Sequence, residues 1–367
     1  MLETAKKLLK KIEEAGYEAY IVGGFVRDYL LGIESNDIDI CTSATPKHIR
    51  EIFVTACLPY EEYGSVTLMM RNVRFEITTF RREYAYFNNR KPIEIEYITS
   101  LKEDLLRRDF LINTICMDSD GNILDLLNGR ADLEKKQIQT VGNSNEKFHQ
   151  DSLRILRAIR FATSLNFTLT EEVKASIKEN KHLLKTLSYQ RKKQELEKIF
   201  LSSNVKKGVS LLIELGIDIE LDIPKLGSVT SFTDIICVWA SLDVLDIYPF
   251  TSNERNLISK INEVMNLDLF DPFVLYNYKL YVCSVVASFK GFDKAELTLR
   301  YAELPIHMRK DIMITSREIA GLLKREMGAY LKVIYLDLEE KILKLELSNN
   351  YEDLAKYIIE TYSSHTF

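Results

Sequence analysis

Asp37 and Asp39 flank Ile38 in the run NDIDI (36–40), and this spacing on a strand turns both carboxylates to one face. Like charges held so close are unfavourable unless a cation sits between them. Hard carboxylate oxygens suit Mg²⁺, which keeps several waters and takes substrate phosphates as further ligands. Two such ions about 3.5–4 Å apart stabilise the entering and leaving oxygens of phosphoryl transfer. Taken alone, the two acids read more readily as a solvated strand face, because the motif is short.

A second feature stands just upstream. Gly23 and Gly24 follow the apolar Tyr20-Ile21-Val22 and open a short helix carrying Arg27 and Asp28. A Gly-Gly turn entering a helix presents backbone N–H groups and the positive end of the helix dipole to an anion. Arg27, one turn in, adds a charge-assisted contact to a triphosphate. One strand then delivers phosphate donors and the next delivers metal ligands.

The elements that must position these groups follow from periodicity. Residues 3–15 pattern as an amphipathic helix with interspersed acids, unlike a signal peptide. Residues 18–22 and DIDICT (37–42) pattern as strands, 25–31 as a helix, and TPKHIREIF (45–53) as a helix capped by Thr45 with Pro46 first. SVTLMM and VRFEITTF flank Arg71-Asn72 as a hairpin, and IEIEYIT and NILDLL are further strand candidates. From Asn145 onward the chain is poor in strand signals and rich in helical periods, among them DSLRILRAIRFATSL (151–165). The fold expected is α+β: a mixed-sheet head over 1–142, a helical neck over 143–205 and an all-α body and tail over 206–367.

Composition narrows the function classes. Of the 367 residues, 46% are hydrophobic and 28% charged, which excludes a disordered chain. No run of about eighteen apolar residues occurs, so no membrane association is expected. Five scattered cysteines without a CxxC pair read as reduced thiols of a cytoplasmic protein. The net charge of −5 argues against a protein built mainly to coat nucleic acid, yet Arg107-Arg108, Arg154, Arg157, Arg160 and Arg191-Lys192-Lys193 are local basic patches. No GxSxG, GxxxxGK[ST] or HExxH is present.

GGFVRD with NDIDI, then LLRRDFLINTI (105–115) and QDSLRILRAIRF (150–161), resembles the class II nucleotidyltransferases, the family of tRNA CCA-adding enzymes and bacterial poly(A) polymerases. The likeness runs in order over roughly the first 200 residues. It implies a polymerase-β-like nucleotidyltransferase head, with Asp37 and Asp39 as catalytic Mg²⁺ ligands. It implies nucleotide binding by Gly24, Arg27, Arg108, Asp151, Arg154, Arg157 and Arg160, with Asp109 positioning and Asn113 supporting. Asp151 and Arg154 are implied to read the base, Asp accepting from the amino group shared by C and A and Arg donating to the ring nitrogen. Gln150 replaces the family's usual Glu, and Gln190-Arg191 its usual Glu-Arg. An amide at 150 can still accept a hydrogen bond from Arg154. Glu76 is the candidate third carboxylate, and equally a cross-strand partner for a basic residue. FRREYAYFNNRKP (80–92) corresponds to the family's flexible loop, and its presence favours completion through A.

The resulting expectation is a template-independent enzyme that adds CCA to the tRNA 3′ end from CTP and ATP and releases pyrophosphate. Its partners are tRNA, CTP and ATP, with residues from about 206 holding tRNA and no protein partner inferred. The competing readings are an enzyme that adds only A, a poly(A) polymerase, and an inactive RNA-binding relative.

Overall fold

A computed structural model describes residues 1–35, 37–54, 64–71, 73–87, 91–229 and 234–364. Helix α1 (Leu2–Glu14) buries the stripe Ala5, Leu8, Leu9 and Ile12, as its period demands. Strand β1 (Ala19–Val22) leads through Gly23 into α2 (Gly24–Leu31), which Gly32 ends in the left-handed region. Strand β2 (Ile38–Thr42) follows. Helix α3 (Pro46–Ile52) is capped by Thr45, whose side chain accepts from the His48 backbone while His48 reaches back.

Strands β3 (Ser65–Met70) and β4 (Val73–Thr79) pair as the expected hairpin about Arg71. Next come β5 (Arg81–Phe87), β6 (Lys91–Tyr97), α4 (Leu101–Leu106), β7 (Cys116–Met117), β8 (Ile123–Leu124), α5 (Gly129–Glu134) and β9 (Gln137–Ile138). The six-stranded sheet has the order β3-β4-β2-β1-β7-β8 and is mixed, because β2 pairs with β4 in parallel and its other pairs are antiparallel.

On the face that carries Asp39, Val22, Cys41 and Cys116 form a buried cluster with Phe80, Leu101 and Leu105. Each fully buried Leu or Phe of such a cluster contributes about 1.5–3 kcal/mol. The cluster seats α4 on the sheet and thereby places Arg107, Arg108 and Asp109, which follow directly. Cys41, Cys116, Cys237 and Cys283 are buried, and Cys57 lies outside the described residues.

Residues 80–92, read from sequence as a flexible loop, are instead largely a two-stranded antiparallel ribbon of β5 and β6, from Arg81↔Tyr97 to Phe87↔Lys91. Cross-strand pairing explains it: Arg82 lies 3.0 Å from Glu96 and also pairs with Glu103, and the Tyr84 hydroxyl donates to Glu96 at 2.7 Å. Residues 88–90, including Arg90, lie outside the described residues.

The neck comprises α6 (Ser144–Gln150), α7 (Leu153–Ser164), β10 (Thr168–Leu169), α8 (Glu171–Asn180) and α9 (Tyr189–Phe200), followed by α10 (Val205–Glu214), α11 (Ile217–Glu220) and α12 (Ile235–Leu242). One expectation fails here. Asp151 does not lie on a helix but between α6 and α7, in extended conformation (φ −144°, ψ 105°). Its carboxylate accepts the Leu153 N–H at 3.1 Å, a local bond that competes with continuing the helix.

Packing divides the chain into Met1–Pro249 and Phe250–Phe367. Residues 206–249, grouped by sequence with the tail, therefore pack with the neck: Trp239 donates to Glu197 at 3.0 Å and meets Phe200 edge-on. The second unit is helical: α13 (Ser252–Val264), α14 (Pro272–Lys290), α15 (Lys294–Ala302), α16 (Ser316–Leu322), α17 (Tyr330–Leu343) and α18 (Tyr351–Tyr362). Among the described residues, no helix is long and apolar enough to cross a membrane.

Candidate nucleotide site

Asp39 sits on β2 opposite Val22 of β1 and opposite Glu76 of β4. Ile38 and Ile40 point the other way and are buried, so alternation turns Asp39, itself half-buried, to the face of Val22 and Cys41. Asp37 is exposed and precedes the strand by one residue. Burial raises the Asp39 pKa to about 6, helped by the neighbouring charges of Asp37 and Glu76 and opposed by Arg108 and Arg157. Among the described residues no group of three or more His, Cys, Asp or Glu encloses a metal site. A carboxylate pair with a third acid beside it still fits a hard cation that takes its other ligands from phosphate and water.

Gly23 has φ 82°, a conformation costly for residues with a Cβ, and a Cβ there would lie 3.7 Å from Asp39 Oδ2. The turn thus brings the start of α2 directly against the carboxylate. Arg27, buried on α2, is fixed on two sides. Its Nε donates to Asp28 at 2.8 Å, with Nη2 at 2.7 Å from the same oxygen, and its Nη1 donates to Asn113 Oδ1 at 2.8 Å. Asn113 in turn donates to Asp109 at 3.1 Å.

Asp109 accepts from Arg157 through both Nε (2.8 Å) and Nη2 (2.5 Å), and from the Phe110 backbone N–H. Burial alone would raise its pKa; Arg157 and the bonds from Asn113 and Arg157 outweigh this and hold it well below the usual carboxylate range. Arg160 pairs with Glu195 at 3.2 Å; burial and the charge of Arg157 push its pKa down to about 10. Arg108 donates to the buried Asp104 at 3.2 Å, while its Nε is out of solvent with no acceptor among the described residues.

A cavity of about 370 Å³ collects these groups. Gly23, Gly24 and Arg27 line one part; Asp37, Asp39 and Arg108 another; Arg157 and Arg160 a third. Phe161 was not a sequence candidate, yet the guanidinium groups of Arg160, Arg27 and Arg157 lie 4.3, 5.1 and 5.4 Å from its ring. Its position next to Arg160 and one turn beyond Arg157 was the available signal.

Asp151 and Arg154 do not line this cavity. Arg154 lies one turn before Arg157 on α7, and Asp151 precedes that helix. Arg154 is buried and donates to Lys147 O (3.1 Å), Gln150 Oε1 (2.8 Å) and Arg107 O (3.0 Å). Asp151 uses Oδ1 both for Leu153 and for Arg191, at 3.7 Å. An acceptor at Asp151 Oδ2 and a donor at Arg154 Nε remain outside these contacts.

Comparison with known proteins shows a consistent pattern. The family described as "Poly A polymerase head domain" matches residues 19–139, and that described as "Probable RNA and SrmB- binding site of polymerase A" matches 166–218. The CCA-adding enzyme of Lactococcus lactis subsp. cremoris (strain MG1363) is 34% identical, over 94% of this chain and 93% of the relative. That of Staphylococcus haemolyticus (strain JCSC1435) is 32% identical over 98% of each. The structure of the Bacillus stearothermophilus CCA-adding enzyme in complex with CTP superimposes with a TM-score of 0.86 at 26% identity, covering 98% of this chain and 97% of that one.

Proposed function

We infer that this chain, which belongs to the class II family of CCA-adding enzymes and poly(A) polymerases, is a tRNA nucleotidyltransferase that adds CCA to the tRNA 3′ end from CTP and ATP. The observation that carries the chemistry is the gathering of the Gly23–Gly24 turn, Asp37, Asp39 and four arginines about one cavity. The tRNA 3′-hydroxyl attacks the α-phosphorus of the nucleotide and pyrophosphate leaves.

The start of α2 and the remaining N–H groups of Arg27 receive the triphosphate. Asn113 and Asp28 keep the Arg27 fork turned toward it, and Asp109 does the same for Arg157. Arg108, Arg157 and Arg160 surround the nucleotide with positive charge. Asp37 and Asp39 would hold Mg²⁺, with Glu76 as a third acid beside them; the ion supplies charge neutralisation at the phosphates. At neutral pH Asp39, with its pKa of about 6, is mostly ionised and ready to serve as a ligand.

Base choice is assigned, on the family resemblance, to Asp151 and Arg154, which stand outside the lining of that cavity. Asp151 Oδ2 and Arg154 Nε supply the acceptor and donor that C and A both complement, and that U and G do not. Gln150 supports Arg154 with a neutral hydrogen bond in place of a charged one. Residues 206–367 are assigned to tRNA binding, mainly by shape and phosphate contacts; the RNA-binding family match reaching residue 218 supports the start of that segment.

The test offers transcripts ending before, within and one nucleotide short of CCA, with each nucleotide labelled in turn. CTP incorporation on the first and ATP on the last, stopping at CCA, is the expected result. Incorporation of ATP alone, or of long A tracts, contradicts it.

A further inference from the structure

A separate cavity of about 390 Å³ opens where β5, the end of α4 and α6 meet. Arg82 and Glu83 of β5, Glu103 and Leu106 of α4, Arg107, and Lys147 and Gln150 of α6 line it, and none of them lines the nucleotide cavity. Both carboxylates on the lining are taken by arginines. Glu103 pairs with Arg82, and Glu83 with Arg81 at 2.7 Å and Arg107 at 3.3 Å.

Among the described lining residues, Lys147 is the one cation with no carboxylate partner. It is buried, and its Nζ donates to a neutral group, Leu106 O, at 2.7 Å. An ammonium carries three N–H donors, so two remain. Arg154, buried beside it, is also held by neutral acceptors alone: Lys147 O, Gln150 Oε1 and Arg107 O. Two cations thus stand together without a directly paired acid among the described residues. Burial first, and then the charge of Arg154, lower the Lys147 pKa to about 8, against the pull of Asp109 and Glu83. Burying an unpaired charge costs free energy, which a bound anion offsets.

Gln150 completes the donor set. Its Oε1 is given to Arg154, and its Nε2 has no acceptor among the described residues. Positions 147 and 150 are three residues apart on α6 and share one face. The ammonium and the amide end are both donors only, the complement of an oxyanion.

We propose that this cavity is a second anion site, which takes a free oxyanion of the phosphate class between the Lys147 ammonium and the Gln150 amide. A tetrahedral oxyanion accepts from both donors at once, through charge-assisted bonds. Lys147 O and Gln150 Oε1 are two of the three acceptors that hold Arg154. The bound anion therefore fixes the side chain assigned to base choice without touching the nucleotide, a consequence that rests on the nucleotidyl-transfer reading above.

The test titrates inorganic phosphate, by calorimetry at constant ionic strength in chloride, into the full-length protein saturated with CTP, so that the nucleotide cavity is occupied. Wild type should bind one phosphate per chain. Lys147→Met and Gln150→Glu should each weaken that binding about tenfold or more, the scale of one hydrogen bond to a charged group. Lys147→Arg, which keeps the charge, should retain it; melting curves verify folding. In CTP and UTP incorporation into a tRNA transcript lacking CCA, phosphate should raise the ratio of kcat/KM for CTP over UTP several-fold in wild type and leave it unchanged in Lys147→Met. No saturable phosphate binding by wild type, or equal binding by wild type, Lys147→Met and Gln150→Glu, would overturn the assignment. Phosphate displaced by the tRNA transcript would give the cavity to the RNA backbone and overturn it as well. Binding with an unchanged CTP/UTP ratio in wild type overturns the coupling to Arg154. Phosphate binding as expected by a protein that incorporates no nucleotide supports the anion site and overturns the nucleotidyl-transfer reading alone.

Discussion

Arg157 donates to one carboxylate oxygen of Asp109 through both Nε and Nη2, at 2.8 and 2.5 Å, across 48 residues of chain. The pair ties α7 of the neck to the segment behind α4 of the head, and so sets the width of the nucleotide cavity between them. Asp109 also holds Asn113, which holds Arg27, so three walls of the cavity share one buried carboxylate.

Asp109→Asn should therefore cost about 2–4 kcal/mol of stability at pH 7, because it strands a partly buried guanidinium. The folded pKa of Asp109 lies below its unfolded value, so its contribution is complete above about pH 4 and disappears as pH falls further. Chemical denaturation of wild type and variant at pH 7 and at progressively lower pH checks this: the gap between them should shrink below pH 4.

Gly23→Ala tests the turn. The added Cβ meets nothing closer than 3.7 Å, so crowding does not decide the outcome; φ of 82° does. Strain on the order of 1–2 kcal/mol should be relieved by shifting the start of α2 away from Asp39. CTP affinity, read by equilibrium binding, should fall several-fold while the melting curve moves only slightly. Unchanged affinity would detach the turn from phosphate binding.

Asp39 behaves in the opposite sense to Asp109. Its folded pKa, about 6, lies above the unfolded value, so its ionisation opposes folding. That penalty is absent below about pH 4, grows between pH 4 and 6, and persists above, at on the order of 2 kcal/mol. Asp39→Asn should accordingly be more stable than wild type at pH 7.5 without divalent cations, and equal to it near pH 4. Adding Mg²⁺ should raise the melting temperature of wild type and leave that of the variant in place.

How much of this was legible in the sequence varies with the kind of interaction. The Asp pair, the Gly-Gly turn and the burial of Ile38 and Ile40 follow from spacing and alternation, which are local. The Gln150–Arg154 contact, four residues apart, was likewise accessible. The Asp109–Arg157 and Arg27–Asn113 bonds join segments 48 and 86 residues apart, and no local pattern specifies which acid takes which arginine. The start of α7 was read two residues early, at Asp151, because apolar periodicity does not mark a helix's first turn, while the deciding bond is a single carboxylate to the Leu153 N–H. Strand β6 was legible in IEIEYIT, but its partner β5 was missed because its charges read as loop, although those charges pair across the two strands.

Asp151→Ala and Arg154→Ala test base choice. Loss of one buried hydrogen-bond partner is worth roughly 1–3 kcal/mol, or about five- to a hundredfold in efficiency. Asp151→Ala should lower kcat/KM for CTP and ATP and narrow their margins over UTP and GTP. Arg154→Ala should impair both accepted nucleotides and also disturb the joint between α6 and α7, since three acceptors depend on it. Wild-type ratios of CTP over UTP and ATP over GTP in the Asp151 variant would move the reading role to another element.

The most direct measurement is single-turnover incorporation of CTP into a tRNA transcript lacking CCA, at saturating Mg²⁺, by wild type, Asp37→Ala and Asp39→Ala. Circular dichroism and melting curves establish that each protein is folded. If the strand pair carries the chemistry, wild type extends the transcript and releases pyrophosphate, while both variants stay folded and add nothing within many wild-type turnover times. Wild-type-like incorporation by either folded variant would contradict the assignment of catalysis to this pair.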